Sequence, residues 1–92
     1  MKYGGKMEII AMILQTAVEG TTKTRIMYAA YLSFQQVKDY LDFLQENDLI
    51  LYENETGFYK LTEKGNRFLR ISNELNDLFS FKNSEFNNSF GV

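Results

Sequence analysis

Cysteine, histidine, proline and tryptophan are all absent from this chain of 92 residues. Without cysteine, neither a disulfide frame nor a thiolate metal site is possible. Without histidine, the commonest general base and the commonest metal ligand are missing. The nucleophile–base pairs of hydrolases therefore have no obvious members. Without proline, no helix is forced to break by a pyrrolidine ring. Neither sign of charge dominates: ten Lys and Arg face twelve Asp and Glu, a formal net charge of −2 and a pI near 5.0. Composition alone thus gives no basic field that would point to nucleic acid.

Long apolar runs are also missing. Lys2 and Lys6 precede the run IIAMIL at 9–14, but Glu8 and Gln15 bound it, against roughly 7–15 apolar residues in a secretory h-region. No stretch approaches the ~20 residues of a membrane helix. The chain reads as cytoplasmic, with no membrane partner, and the Asn-x-Ser/Thr triplets at 54–56 and 87–89 read as chance matches. Gly20-Thr21-Thr22-Lys23 lacks the upstream glycine of a phosphate-binding loop. The expectation is a protein that is not an enzyme and uses no cofactor or metal.

What is present suits one ordinary globular domain, 45% hydrophobic and 24% charged. Charge is banded along it. Residues 1–32 and 54–70 each carry two more basic than acidic side chains, whereas 33–53 carry one basic against five acidic. Basic segments flank an acidic centre.

That centre, YLSFQQVKDYLDFLQENDLILY at 31–52, organises the rest. Ser33 is a good N-cap, and Gln36 stands three places on, as a capping box requires. Leu32 and Val37 occupy the two ends of a hydrophobic staple. The spacing predicts a helix over 34–47 with Phe34, Val37, Tyr40, Leu41 and Leu44 on one face, and Asn47 in a left-handed cap. Gln35, Asp39, Asp42 and Glu46 lie opposite. Phe43, off the apolar stripe, is expected to be an exposed contact.

Residues 1–5 read as a flexible lead. A first helix over 6–19 has Ile9, Met12, Ile13, Thr16 and Ala17 inward, Ile10 and Leu14 beside them, and Gly20 as its stop. Thr21 or Thr22 caps a second helix over 23–30. Strands at 49–53 and 58–61 form a hairpin, with Gly57 in the left-handed turn position and Tyr52 opposite Tyr59. Thr62 caps a last helix over 63–80, on which Phe68, Ile71, Leu75 and Leu78 follow a 3-4-3 spacing, an a/d pattern that suggests a dimerisation seam. Residues 81–92, rich in Asn and Ser, read as a disordered tail. The fold class is mainly α with a small β-hairpin: a winged helix-turn-helix domain at 6–62 plus a C-terminal helix.

TTKTRIMYAAYLSFQQVKDYLDFL followed by YKLTEKG resembles the small archaeal winged-helix regulators, which include chromatin-associated DNA-binding proteins that dimerise through a C-terminal antiparallel coiled coil. The resemblance covers about 21–69, and its blocks at 22–33 and 59–65 agree in order and spacing. It implies a homodimer on double-stranded DNA, with the third helix in the major groove and the wing on the backbone.

The candidate DNA-binding residues follow from helix-turn-helix docking, in which the first turn of the recognition helix meets base edges and the helix before it meets phosphates. They are Lys23, Thr24, Arg25, Ser33, Gln35, Gln36 and Lys38, joined on the wing by Asn54, Thr56, Tyr59 and Lys60. Glutamine can bond adenine bidentately, and Lys and Arg neutralise phosphates. Lys64, Arg67 and Arg70 read as solvated, and Asp39, Asp42 and Glu46 as the wet side of an amphipathic helix. The alternative function is a winged helix used as a protein-interaction module without DNA binding.

Overall fold

The computed structural model describes residues 5–90, and side chains as far as residue 78. Its elements are α1 (Gly5–Thr16), α2 (Lys23–Ala30), α3 (Phe34–Glu46), β1 (Ile50–Glu53), β2 (Phe58–Leu61) and α4 (Glu63–Phe90). This is the expected order of three helices, a hairpin and a last helix. Most of the lead expected at 1–5 lies outside the described residues, and Gly5 already opens α1. Among the described residues no helix is long and apolar enough to cross a membrane.

On α1 the buried residues are Ile10, Ile13 and Leu14, with Ala17 just beyond. The inward face is therefore turned from the expected one: Met12 is 41% exposed, while Ile10 and Leu14 are in the core. The set 10, 13, 14, 17 makes the tighter i, i+3, i+4, i+7 stripe. The helix also stops earlier than expected. The Thr16 hydroxyl donates to the Ile13 carbonyl, the chain turns through 17–19, and Gly20 reverses it at φ 92°.

Around α3 the capping box is complete. The Gln36 N–H donates to Ser33 Oγ at 3.2 Å, and the Ser33 N–H donates to Gln36 Oε1 at 2.9 Å. Leu32 and Val37, the staple pair, are both buried, and Val37, Leu41 and Leu44 face the core. Phe34 does not: it is 57% exposed. As the first helical residue it sits at the edge of the stripe, before the helix has met the core. The left-handed residue is Asp48 (φ 60°) rather than Asn47 (φ −96°). Asn47 Nδ2 donates to the Phe43 carbonyl at 2.8 Å, keeping Asn47 on the helix and moving the reversal one residue on.

β1 begins at Ile50, because the Leu49 N–H closes α3 by donating to the Leu44 carbonyl at 2.9 Å. The strands pair antiparallel with Ile50 opposite Leu61 and Tyr52 opposite Tyr59. The two tyrosine rings lie 4.8 Å apart between centroids, and Gly57 takes φ 76° in the turn. Thr21, buried ahead of α2, adds a bridge to Tyr59 through a pair of backbone hydrogen bonds.

Thr62 caps α4 by accepting from the Gly65 N–H at 2.9 Å. The helix does not end at residue 80. It continues to Phe90 through the stretch expected as a disordered tail, since no Gly or Pro occurs between Gly65 and Gly91 to stop it. Leu69 is buried, and Phe68, expected on a dimer seam, packs half-buried on the core. The first turns of α4 lie against α1 and β2, so both residues turn inward.

Two substitutions test this packing. Leu41→Ala should cost about 2–5 kcal/mol in denaturant unfolding, as other core leucine truncations do. A β-carbon on Gly65 would meet the Leu49 carbonyl oxygen. Gly65→Ala should therefore cost about 1–3 kcal/mol despite the gain in helix propensity. A neutral effect at Gly65 would show that α4 does not dock on the hairpin base this closely.

Candidate nucleic-acid interface

Two local locks place the three groups of candidate residues side by side. At the start of α2, Thr22 accepts from the Arg25 N–H at 3.2 Å, which fixes the turn bearing Lys23, Thr24 and Arg25. Lys23 Nζ then lies 4.8 Å from the centroid of the Phe34 ring, joining the leading ends of α2 and α3. On the other side, the Thr21–Tyr59 bridge ties the approach to α2 to the base of the hairpin. Between α2 and α3 the chain turns at Tyr31, left-handed at φ 56° and 91% exposed.

Most of the expected polar contacts already have partners within the chain. Ser33 and Gln36 hold each other in the capping box. Gln35 Nε2 donates to Asp39 Oδ1 at 2.9 Å, and Lys38 Nζ pairs with Asp42 Oδ2 at 3.1 Å, both half in water. In the hairpin Lys60 Nζ pairs with Glu53 Oε1 at 3.2 Å. Thr56 Oγ1 donates to the same carboxylate oxygen at 2.7 Å and accepts from the Phe58 N–H at 3.3 Å. Thr24, Arg25 and Asn54 are exposed, with no side-chain hydrogen bond or ion pair among the described residues. Lys64, beyond this face, donates to the Asn47 carbonyl at the end of α3.

The exposed pairs are worth little each, so they are easily exchanged for another anion or acceptor. The Thr56 hydroxyl bond, and then Lys60, hold the Glu53 carboxyl below the ordinary glutamate range. Burial, then Tyr52 and Asp42, push the Tyr59 phenol up, keeping it a neutral donor.

Three exposed aromatic side chains of the helix-turn-helix escape sequence reasoning. Phe34 was assigned inward, and the exposed Tyr28 and Tyr31 were passed over. Only the position of Phe34, directly after the cap, carried a usable signal. Thr21 was read as a cap alternative, yet it forms the backbone bridge. A β-branched residue between Gly20 and the capping Thr22 fits that extended role.

A family model for a winged helix-turn-helix matches residues 5–80. A protein of Methanocaldococcus jannaschii, itself uncharacterized, is 39% identical over 79 residues, 85% of this chain and 76% of that one. The crystal structure of Sso10a-2, a DNA-binding protein from Sulfolobus solfataricus, superposes with a TM-score of 0.77 at 26% identity, covering 94% of this chain and 93% of the other. ZitR from Lactococcus lactis, solved in complex with DNA, superposes at 0.71 with 23% identity, covering 97% of this chain and 63% of its own. At that identity the likeness to ZitR is one of fold.

The Glu53 cluster yields a pH prediction. Because the folded pKa is lowered, its contribution to hairpin stability is present above the ordinary glutamate range and is lost as pH falls through the folded value. Side-chain carboxyl NMR should find Glu53 titrating below the ordinary glutamate range. Thr56→Ala should move its midpoint up toward that range; an unmoved midpoint would remove Thr56 as the cause.

Proposed function

This chain belongs to the winged helix-turn-helix family, and on that premise we propose that it is a small transcriptional regulator binding double-stranded DNA as a homodimer. The observation that carries the reading is the fastening of the α2 start, the α3 start and the hairpin base into one face. The Sulfolobus protein of similar fold is a DNA-binding protein, which supports it, and both it and the Methanocaldococcus relative suit an archaeal-type regulator acting in the cytoplasm.

In this reading Lys23, Arg25 and Lys60 neutralise phosphates, helped by Thr24, Asn54, Thr56 and Tyr59 as hydrogen-bonding groups. Gln35 exchanges its Asp39 bond for a base edge. Ser33 and Gln36 keep the leading turn of α3 in shape, and Lys38 is shared between Asp42 and the DNA. Asp39, Asp42 and Glu46 limit docking to the first turns of α3, since carboxylates near phosphates repel.

A salt titration on a mixed-sequence duplex tests this. Lys23→Ala, Arg25→Ala and Lys60→Ala should each lower the salt slope by about one and weaken all sequences alike. Replacing Asp42 and Glu46 with Asn and Gln should tighten binding, both by removing repulsion and by releasing Lys38 from its pair. If none of these changes has an effect, the face does not meet DNA. The exposed Phe43, with the groove of ≈ 310 Å³ it shares with Lys6, Ile10, Gln36, Asp39 and Tyr40, would then favour the protein-interaction reading.

The homodimer rests on Ile71, Leu75 and Leu78, 50%, 49% and 62% exposed, with Leu75 lining a groove beside the exposed Met7 and Met12 of α1. An apolar strip of this kind is disfavoured in monomers. Leu75→Asp should convert a dimer to a monomer in sedimentation without unfolding the domain. A wild-type protein that sediments as a monomer at high micromolar concentration contradicts the dimer.

A further inference from the structure

Phe34 combines position, exposure and fixation in a way that its neighbours do not. It is the first residue of α3 and 57% exposed, so the core does not account for it. The Lys23 ammonium sits 4.8 Å from the ring centroid, holding one side of the ring by cation–π attraction. Among residues 33–38, Val37 is buried, Ser33 and Gln36 cap the helix, Gln35 bonds Asp39 and Lys38 pairs with Asp42. The leading turn of α3 therefore offers solvent a fixed apolar ring among polar groups already engaged.

Base edges in the major groove offer one apolar complement to such a ring, the C5-methyl group of thymine. We infer that Phe34 is a specificity-determining residue whose ring packs on thymine methyl groups at the leading end of α3. This rests on the DNA-binding reading above. The contact is lost when the methyl is absent, even though base pairing and the hydrogen-bonding edge are unchanged.

The test compares the full chain on poly(dA-dT) and poly(dA-dU) duplexes at equal salt, which differ in that methyl group alone. Wild type should bind the thymine polymer about fourfold more tightly for each methyl buried per site. Phe34→Ala should bind both polymers equally, near the wild-type affinity for the uracil polymer. Phe34→Leu, which keeps an apolar side chain, should retain part of the preference. Circular dichroism of each variant confirms the fold. Equal binding of the two polymers by wild type overturns the inference while leaving DNA binding intact, as does an undiminished preference in Phe34→Ala. Failure of the folded wild type to bind either polymer overturns the DNA-binding reading and this inference with it.

Discussion

The close approach of α4 to the base of the hairpin fixes the geometry of everything around it. The Thr62 hydroxyl donates to the Asp48 carbonyl at 2.6 Å, and its N–H donates to the Leu49 carbonyl at 3.2 Å. Gly65 lies against that same carbonyl with no room for a side chain, while Lys64 reaches back to the Asn47 carbonyl. The end of α3, both strands and the start of α4 are thereby joined through a few backbone groups. The hairpin cannot swing relative to α3 without opening this junction. The Thr21–Tyr59 bridge extends the same constraint to α2. The proposed DNA-binding surface, assembled from three separate segments, depends on such fastening, because preorganisation reduces the ordering cost of binding.

Local pairing reconciles the net negative charge with the proposed anionic partner. Two of the carboxylates, Asp42 of α3 and Glu53 of the hairpin, hold Lys38 and Lys60 in solvent-accessible pairs, whereas Asp39 and Glu46 have no cationic partner among the described residues. Such pairs are weak in water, and a phosphate can compete for the cation. The outcome is a face whose basic groups are held in defined places before binding, at the cost of a weaker overall attraction. In the proposed complex, specificity leans on what the leading turn of α3 presents, which includes an exposed aromatic ring as well as amides.

Local signals were legible in the sequence, whereas tertiary docking was not. Ser33 with Gln36, Gly57, Thr62 and the Tyr52–Tyr59 pairing each act within a few residues or across one hairpin, and each is found where the pattern places it. The face of α1 was misjudged because Ile9, Ile10, Met12, Ile13 and Leu14 are all apolar, and only contact with α2 and α4 selects among them. Phe34 differs from its expected place for a related reason: a helical stripe does not reveal where a neighbouring helix begins or ends. The extent of α4 differs from the expected end at residue 80: it runs on to Phe90, with no glycine or proline before Gly91 to stop it. At the candidate site, residue types were readable, but the carboxylate partners of Gln35, Lys38 and Lys60 were not.

Amide chemical-shift mapping of the labelled protein, with a mixed-sequence duplex added at low salt, tests the central claim most directly. The account predicts shifts at Thr22, Lys23, Thr24 and Arg25, from Ser33 to Lys38, and from Asn54 to Lys60, while Glu46 and the exposed side of α4 stay unmoved. Shifts confined to the groove beside Phe43, to the α1–α4 surface around Leu75, or to no residue at all would contradict it.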